Sequence, residues 1–129
     1  MLRYRRSAER IAADLEAALA RGDGLLAWEV EGVAHGLAWF LREGTFGMGG
    51  YLRLIALAGG AQGSGAGAAL LAAFEAEVAR VSRHAFLLVS DFNEDAQRFY
   101  ERHGYARVGA LPGLVLPDVA ELVYWKRLR

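Results

Sequence analysis

The sequence predicts a mixed α/β domain, and three stretches carry that prediction. Tyr51–Ala58 is apolar and rich in strand formers, and Ala68–Val78 consists almost wholly of strong helix formers. Ala85–Ser90 is a continuous apolar run of strand length, as a strand buried on both faces requires. Strand, turn, helix, strand is a right-handed crossover, which lays the two strands parallel. At 129 residues the chain is read as one domain, 1–129, long enough to bury a core without staples.

The remaining elements fall in order. Leu2–Arg6 alternates and reads as a short edge strand. Ser7 is placed to cap the helix that follows, where Ile11, Leu15, Ala18 and Leu19 recur at helical spacing and Arg21-Gly22 supplies a cationic last turn and a terminal glycine. Leu25–Glu31 and Val33–Leu41 read as antiparallel strands around a turn at Gly32, with Trp28 and Trp39 as core or interface aromatics. His35 reads as a surface or half-buried strand residue, since no second ligand stands at metal spacing from it. Arg42–Gly50 holds four glycines and reads as a flexible hairpin loop, whose Phe46 and Met48 either cover a substrate, meet a partner chain or tuck under the sheet. Asp91–Gly104 is a helix capped by Asp91 or Asn93, acidic in its first turn and closed by Arg102-His103-Gly104. Tyr105–Gly109 begins another strand, Pro112 and Pro117 bracket a loop, and Val119–Leu128 is the last strand.

Between the first parallel strand and the long helix lies Gly59-Gly60-Ala61-Gln62-Gly63-Ser64-Gly65-Ala66-Gly67. Glycines at such a junction let the backbone approach a pyrophosphate, which the helix N-terminus attracts through its unpaired N–H groups and its dipole. Three readings fit. One is a tight turn whose small residues pack a helix on a sheet. Another is a dinucleotide site, because Gly63 to Ala68 matches G-x-G-x-x-A and Asp91 follows where a ribose-binding carboxylate would sit. The third is an acyl-coenzyme A loop, Q/R-x-x-G-x-G/A, matched by Gln62, Gly65 and Gly67. A P-loop is excluded, since no G-x-x-x-x-G-K-[ST] occurs.

Composition narrows the chemistry. The chain has no cysteine, which rules out disulfides, thiolate metal sites and a cysteine nucleophile. Charge is balanced without a basic block, so nucleic acid is not an expected partner. Lys126 is the only lysine, which confines internal Schiff-base chemistry to that position. No apolar run is long enough to span a bilayer and no signal peptide opens the chain, so no membrane association is expected and cytoplasmic residence is the default.

Asn93-x-x-Ala96-x-x-Phe99-Tyr100-x-x-x-Gly104-Tyr105 resembles the second signature of the GNAT superfamily of acyl-coenzyme A-dependent N-acetyltransferases, and it follows the Gln62–Gly67 loop at the usual distance. The resemblance covers nearly the whole chain, and it tells against the dinucleotide reading, because hairpins precede the glycines and an antiparallel pair follows the second helix. It implies a twisted mixed sheet of about six or seven strands with helices on both faces and a splayed central parallel pair. Acetyl-coenzyme A would be the co-substrate, with no metal, and the acceptor a small-molecule or peptide primary amine. Pantetheine would run in the splay and pair with the backbone around Ile55, Ala56 and Leu57, while the pyrophosphate would sit on N–H groups from Gly63 through Ser64, Gly65, Ala66 and Gly67 to Ala68. Asn93 would bond the pantetheine arm, and an N–H near Leu57 would serve the oxyanion. The resemblance implies Tyr100 as general acid, a role that suits a phenol of pKa about 10 beside a thiol of about 8.5.

Two departures from relatives stand out. Ser64 replaces a common arginine or lysine, and Tyr51, Arg53 and Leu88 stand where relatives carry an acidic or histidine base. Glu43, Asp91, Glu94 and His103 are the titratable groups close by in sequence. Strand alternation predicts that Tyr51, Arg53, Ile55 and Leu57 share one face. Arg53, which cannot accept a proton, suits either a carboxylate on the acceptor or an internal acid such as Glu43 or Glu121. One helix stands where relatives place two, so the acceptor site is expected to be open, completed by a second subunit in a homodimer, or shaped by Arg42–Gly50 and Leu111–Asp118. A non-catalytic acyl-coenzyme A-binding module remains an alternative to the enzyme, and a dinucleotide oxidoreductase a more distant one.

Overall fold

The computed structural model of the chain describes residues 8–129, with side chains from residue 13 onward. The expected edge strand Leu2–Arg6 and the cap Ser7 lie outside the described residues. The elements are α1 (Ala8–Arg21), β1 (Gly24–Val30), β2 (Val33–Thr45), β3 (Gly49–Leu57), a short 3₁₀ turn (Gly59–Ala61), α2 (Ala66–Ala79), β4 (His84–Ser90), α3 (Glu94–Arg102), β5 (Ala106–Pro112) and β6 (Ala120–Arg127). The described strands form one six-stranded mixed sheet in the order β1-β2-β3-β4-β6-β5. All neighbours are antiparallel except the central pair, β3 and β4.

α1 and α3 end as the sequence predicts. Gly22 (φ 86°) follows α1, with its N–H bonded to Leu19 O and that of Asp23 to Ala18 O; Gly104 (φ 90°) follows α3, with its N–H bonded to Glu101 O and that of Tyr105 to Tyr100 O. Both are the paired-bond ending that a left-handed residue permits. The expected loop over Arg42–Gly50 is instead a tight turn. Phe46 (φ 55°) and Gly47 (φ 66°) both take positive φ, and Met48 N–H bonds Thr45 O, so β2 and β3 run almost into each other. This is the two-residue turn whose twist matches that of the flanking strands. Phe46 and Met48 are left 86% and 65% exposed at its tip.

The main core lies between the sheet and α2. Ala38, Phe40, Leu52, Leu87, Val89, Leu122 and Tyr124 face Leu70, Leu71, Phe74 and Val78, and Phe40 meets Phe74 edge-on at 5.2 Å. α3 joins the same layer through Ala96, Phe99 and Tyr100. α1 lies across the opposite face, beside Trp39, Leu41 and Tyr51. Helices therefore cover both faces.

Polar ties fix the two core-side helices to β6. Tyr105 Oη donates to Glu75 on α2, and Lys126 Nζ reaches both Glu75 oxygens at 3.0 and 3.2 Å while lying over the Tyr105 ring. Tyr124 Oη donates to Glu101 on α3 at 2.7 Å, and burial together with that carboxylate pushes the phenol up to about 12.

α2 packs tightly on the sheet at Gly50, where a Cβ would fall 2.3 Å from Val78 Cγ2. Gly50→Ala is expected to lower stability by about 1–3 kcal/mol through overpacking. Urea denaturation measures this, and an unchanged midpoint would show that α2 can lift from β3.

Candidate active site

The sheet is interrupted where β3 leaves β4. The two strands pair only at Gly50–Ala85, Tyr51–Phe86 and Leu52–Leu87, and beyond these they diverge. The cause lies on the other edge of β3. Phe40 pairs with Leu52 but Trp39 with Leu54, so Arg53 is an extra residue, a bulge that bends the strand and increases its twist.

The bulge also corrects the expected alternation. Tyr51 pairs with Leu41, and the Arg53 guanidinium lies over the Trp39 ring, 4.7 Å from its centroid, on the α1 face. Ile55 and Leu57 pack against the core on the α2 face. Tyr51 and Arg53 thus do not share a face with Ile55 and Leu57, because the inserted residue reverses the side-chain phase.

A cleft of about 590 Å³ passes through the divergence. Of the predicted site residues, Tyr51, Arg53, Ile55, Leu57, Gln62, Gly63, Gly67, Asn93 and Tyr100 line it, whereas Ala56, Ser64, Gly65, Ala66 and Ala68 do not. On the α1 side it meets a second chamber of about 460 Å³, and the two share Asp14, Trp39, Tyr51 and Arg53. Neither the 42–50 turn nor the 111–118 loop borders either chamber; α1 is the wall on that side.

The glycine turn is narrower as an anion cradle than its sequence implies. Ser64 N–H is bonded to Ala61 O, and the Ser64 hydroxyl donates to Ala61 O while receiving a long 3.4 Å bond from Ala66 N–H. Ser64 therefore closes the turn. Gly65 (φ 87°) is the residue before α2, and the first helical bond runs from Ala69 N–H to Gly65 O, which leaves the Gly67 and Ala68 N–H groups beyond the intrahelical ladder. A Cβ on Gly63 or Gly65 would meet nothing within 4 Å, so the space above the turn is open.

Asn93 Oδ1 caps α3 by accepting from Ala96 N–H at 3.1 Å, and the residue also borders the cleft. Tyr100 lines the cleft and packs edge-on against Phe99 (5.1 Å) and Tyr105 (5.8 Å). None of the acids and bases picked from sequence borders it. Asp91 accepts from Ala120 N–H on β6, His103 Nδ1 lies 2.8 Å from Phe99 O, and Glu43 and Glu94 are exposed elsewhere. Among the described residues, the acids that do line it are Asp95 on α3 and Asp14 on α1. Asp14 carries no motif, and only the docking of α1 brings it there. Arg53 makes no ion pair with Glu43 or Glu121; buried Glu121 instead accepts from Ser90 Oγ at 2.8 Å.

The model of the acetyltransferase (GNAT) family matches residues 2–105, and the chain belongs to that family. Among solved structures, a Desulfovibrio desulfuricans protein assigned to the GNAT acetyltransferases superposes with a TM-score of 0.81 at 24% identity, covering 93% of this chain and 78% of that one. An aminoglycoside 6'-N-acetyltransferase complexed with coenzyme A gives 0.79 at 19% identity, covering 92% and 79%. The aminoglycoside 6'-N-acetyltransferase of Enterococcus faecium gives 0.79 at 20% identity, covering 94% and 83%. No curated protein sequence matches the chain significantly. Acetyl transfer is the general reaction of the family, and the fold is that of its members. Among the described residues no group of acidic or histidine side chains is arranged to hold a metal ion, and no helix is long and apolar enough to cross a membrane.

The wall on the α1 side is held by Asp23, just after α1. Its carboxylate accepts from Trp39 Nε1 at 3.0 Å and from Arg21 at 2.8 Å. Burial pushes its pKa up, but the Trp39 and Arg21 bonds, with the charges of Arg21 and Arg53, outweigh that and hold it below the ordinary aspartate range. A depressed folded pKa stabilises above the unfolded value of about 3.9, and the contribution is lost as pH falls through the folded pKa. Asp23→Asn is expected to cost about 1–2 kcal/mol at pH 7, with the gap to the native protein closing below about pH 4. Thermal melts across that range measure this; a gap that persists at pH 2.5 would assign the loss to packing.

Proposed function

We propose that this chain transfers an acetyl group from acetyl-coenzyme A to a primary amine by direct nucleophilic attack. The observation that carries the reading is the cleft, which joins the glycine turn and Tyr100 on one face of the sheet to a separate polar chamber on the other. A two-substrate reaction needs two approaches to one reacting centre, and the parted strands provide them.

The thioester supplies an activated acetyl group, and the chain binds and orients. The backbone at Gly63, Gly65, Gly67 and Ala68 receives the pyrophosphate at the positive end of α2. The length of β3 that has left β4, around Ile55, Ala56 and Leu57, receives the pantetheine arm, with Gln62 and Asn93 beside it. An N–H near Leu57 stabilises the oxyanion, and the Tyr100 hydroxyl protonates the departing thiolate. Arg53, over the Trp39 ring at the junction of the two chambers, binds a carboxylate next to the acceptor's amine.

Acetyl-coenzyme A is expected to raise the melting temperature of the native protein, as a ligand of the folded state does. Gly67→Val is expected to abolish that shift while remaining folded, because its Cβ meets only ordinary contacts (3.5 Å to Phe99, 3.6 Å to Leu57) and its methyl groups enter the cleft. An unchanged shift would remove the glycine turn from the binding site. Tyr100→Phe is expected to lower kcat by about 10²–10⁴-fold with coenzyme affinity unchanged. Full turnover in that variant would leave Tyr100 as a packing aromatic.

A further inference from the structure

The cleft contains no base on β3 or β4, yet an amine must lose a proton before it attacks. Among the described residues the lining acids are two, and their settings differ. Asp95 stands in the first turn of α3, 95% exposed and ion-paired to Arg98, on the side of Asn93. Asp14 is half-buried midway along α1 and is the one described carboxylate that borders both chambers. It shares that junction with Trp39, Tyr51 and Arg53. A cationic and an anionic side chain therefore both line the junction where the acceptor chamber opens onto the cleft. Among the described residues, the other charged or titratable groups around them are Arg21 on α1, Asp23 bonded to Trp39 and Arg21, Tyr51 on β3 and, across the cleft, Asp95 and Tyr100 on α3.

We propose that Asp14 binds the ammonium of the acceptor and takes its proton, so that the substrate class is a small zwitterion whose carboxylate rests on Arg53. This rests on the acetyltransferase reading and adds the acceptor's recognition and the missing base. Asp14 accepts one proton from the ammonium and passes it to water. The freed nitrogen lone pair attacks the thioester carbonyl, forming the C–N bond. Collapse of the tetrahedral adduct breaks the C–S bond, and the second proton leaving nitrogen ends on sulfur by way of Tyr100. The products are the N-acetyl compound, the free thiol and one proton. The carboxylate also offers the ammonium a charge-assisted hydrogen bond, which orients the nitrogen toward the cleft.

The test uses acetyl-coenzyme A with a panel of free amino acids and their carboxamides, thiol release being followed from pH 6.5 to 9.5 in the native protein, Asp14→Asn, Asp14→Glu and Arg53→Ala. Asp14→Asn is expected to lower kcat/KM about 10–100-fold at pH 7, and the loss to shrink as pH rises through the amine's pKa, because the acceptor then arrives neutral. Asp14→Glu restores part of the rate, and acetyl-coenzyme A affinity stays at the native level in both. The native protein and Asp14→Asn prefer the free acid to the amide, whereas Arg53→Ala loses that preference. A native-like kcat/KM in Asp14→Asn at pH 7, or a loss that is equal at every pH, overturns the role of Asp14 while leaving an active acetyltransferase. Failure of the native protein to acetylate any free amino acid overturns the zwitterionic acceptor and Asp14's role with it, whereas the transferase reading falls only if other primary amines are not acetylated either.

Discussion

One extra residue in β3 shapes the molecule. With Arg53 opposite no partner on β2, the strand bends, parts from β4 after three paired residues and reverses the faces of its side chains. Without the bulge, strand alternation would carry Ile55 and Leu57 to the α1 side. The core would then lose two of the apolar groups packed against it. The opening in the sheet and the completeness of the core thus depend on the same local irregularity, and neither can be changed alone.

The two faces of the sheet are held by different means. On the α2 and α3 side a dry apolar layer is supplemented by tyrosine–carboxylate bonds, from Tyr105 to Glu75 and from Tyr124 to Glu101. On the α1 side the tie described here is Asp23, which joins the end of the helix to Trp39. That same Trp39 carries the Arg53 guanidinium on its face. The anchor of the helix and the platform of the arginine are one indole ring, so the position of α1 and the direction of Arg53 are set together.

Much of this was legible in the residues. Continuous apolar runs marked β3 and β4, helix formers and terminal glycines marked α1, α2 and α3, and Gln62 to Gly67 and Asn93 to Tyr105 located the two motifs that border the cleft. Three features were not. A period-2 reading carries a strand's phase straight through Arg53, because nothing in Leu52-Arg53-Leu54 distinguishes a bulge from a regular strand. Four glycines in 42–50 suggested a loose loop, yet only Gly47 is spent on the turn, and Gly49 and Gly50 are there because Phe86 and Val78 leave no room for a Cβ. Asp14 lies between apolar positions of an ordinary amphipathic helix, and only tertiary docking turns it from a surface acid into part of the cleft wall.

Lys126 has a consequence of a different kind. A thioester co-substrate is a chemical acylating agent, and a protein that holds one at high local concentration exposes its own amines to slow modification. Here the chain offers one lysine in all, and its nitrogen is clasped by both oxygens of Glu75 and covered by the Tyr105 ring. That nitrogen is bonded to a carboxylate and borders neither chamber. With arginine carrying the remaining positive charge, the chain presents almost no side-chain amine to the reagent it is proposed to use, and it is therefore a poor amine substrate for its own chemistry.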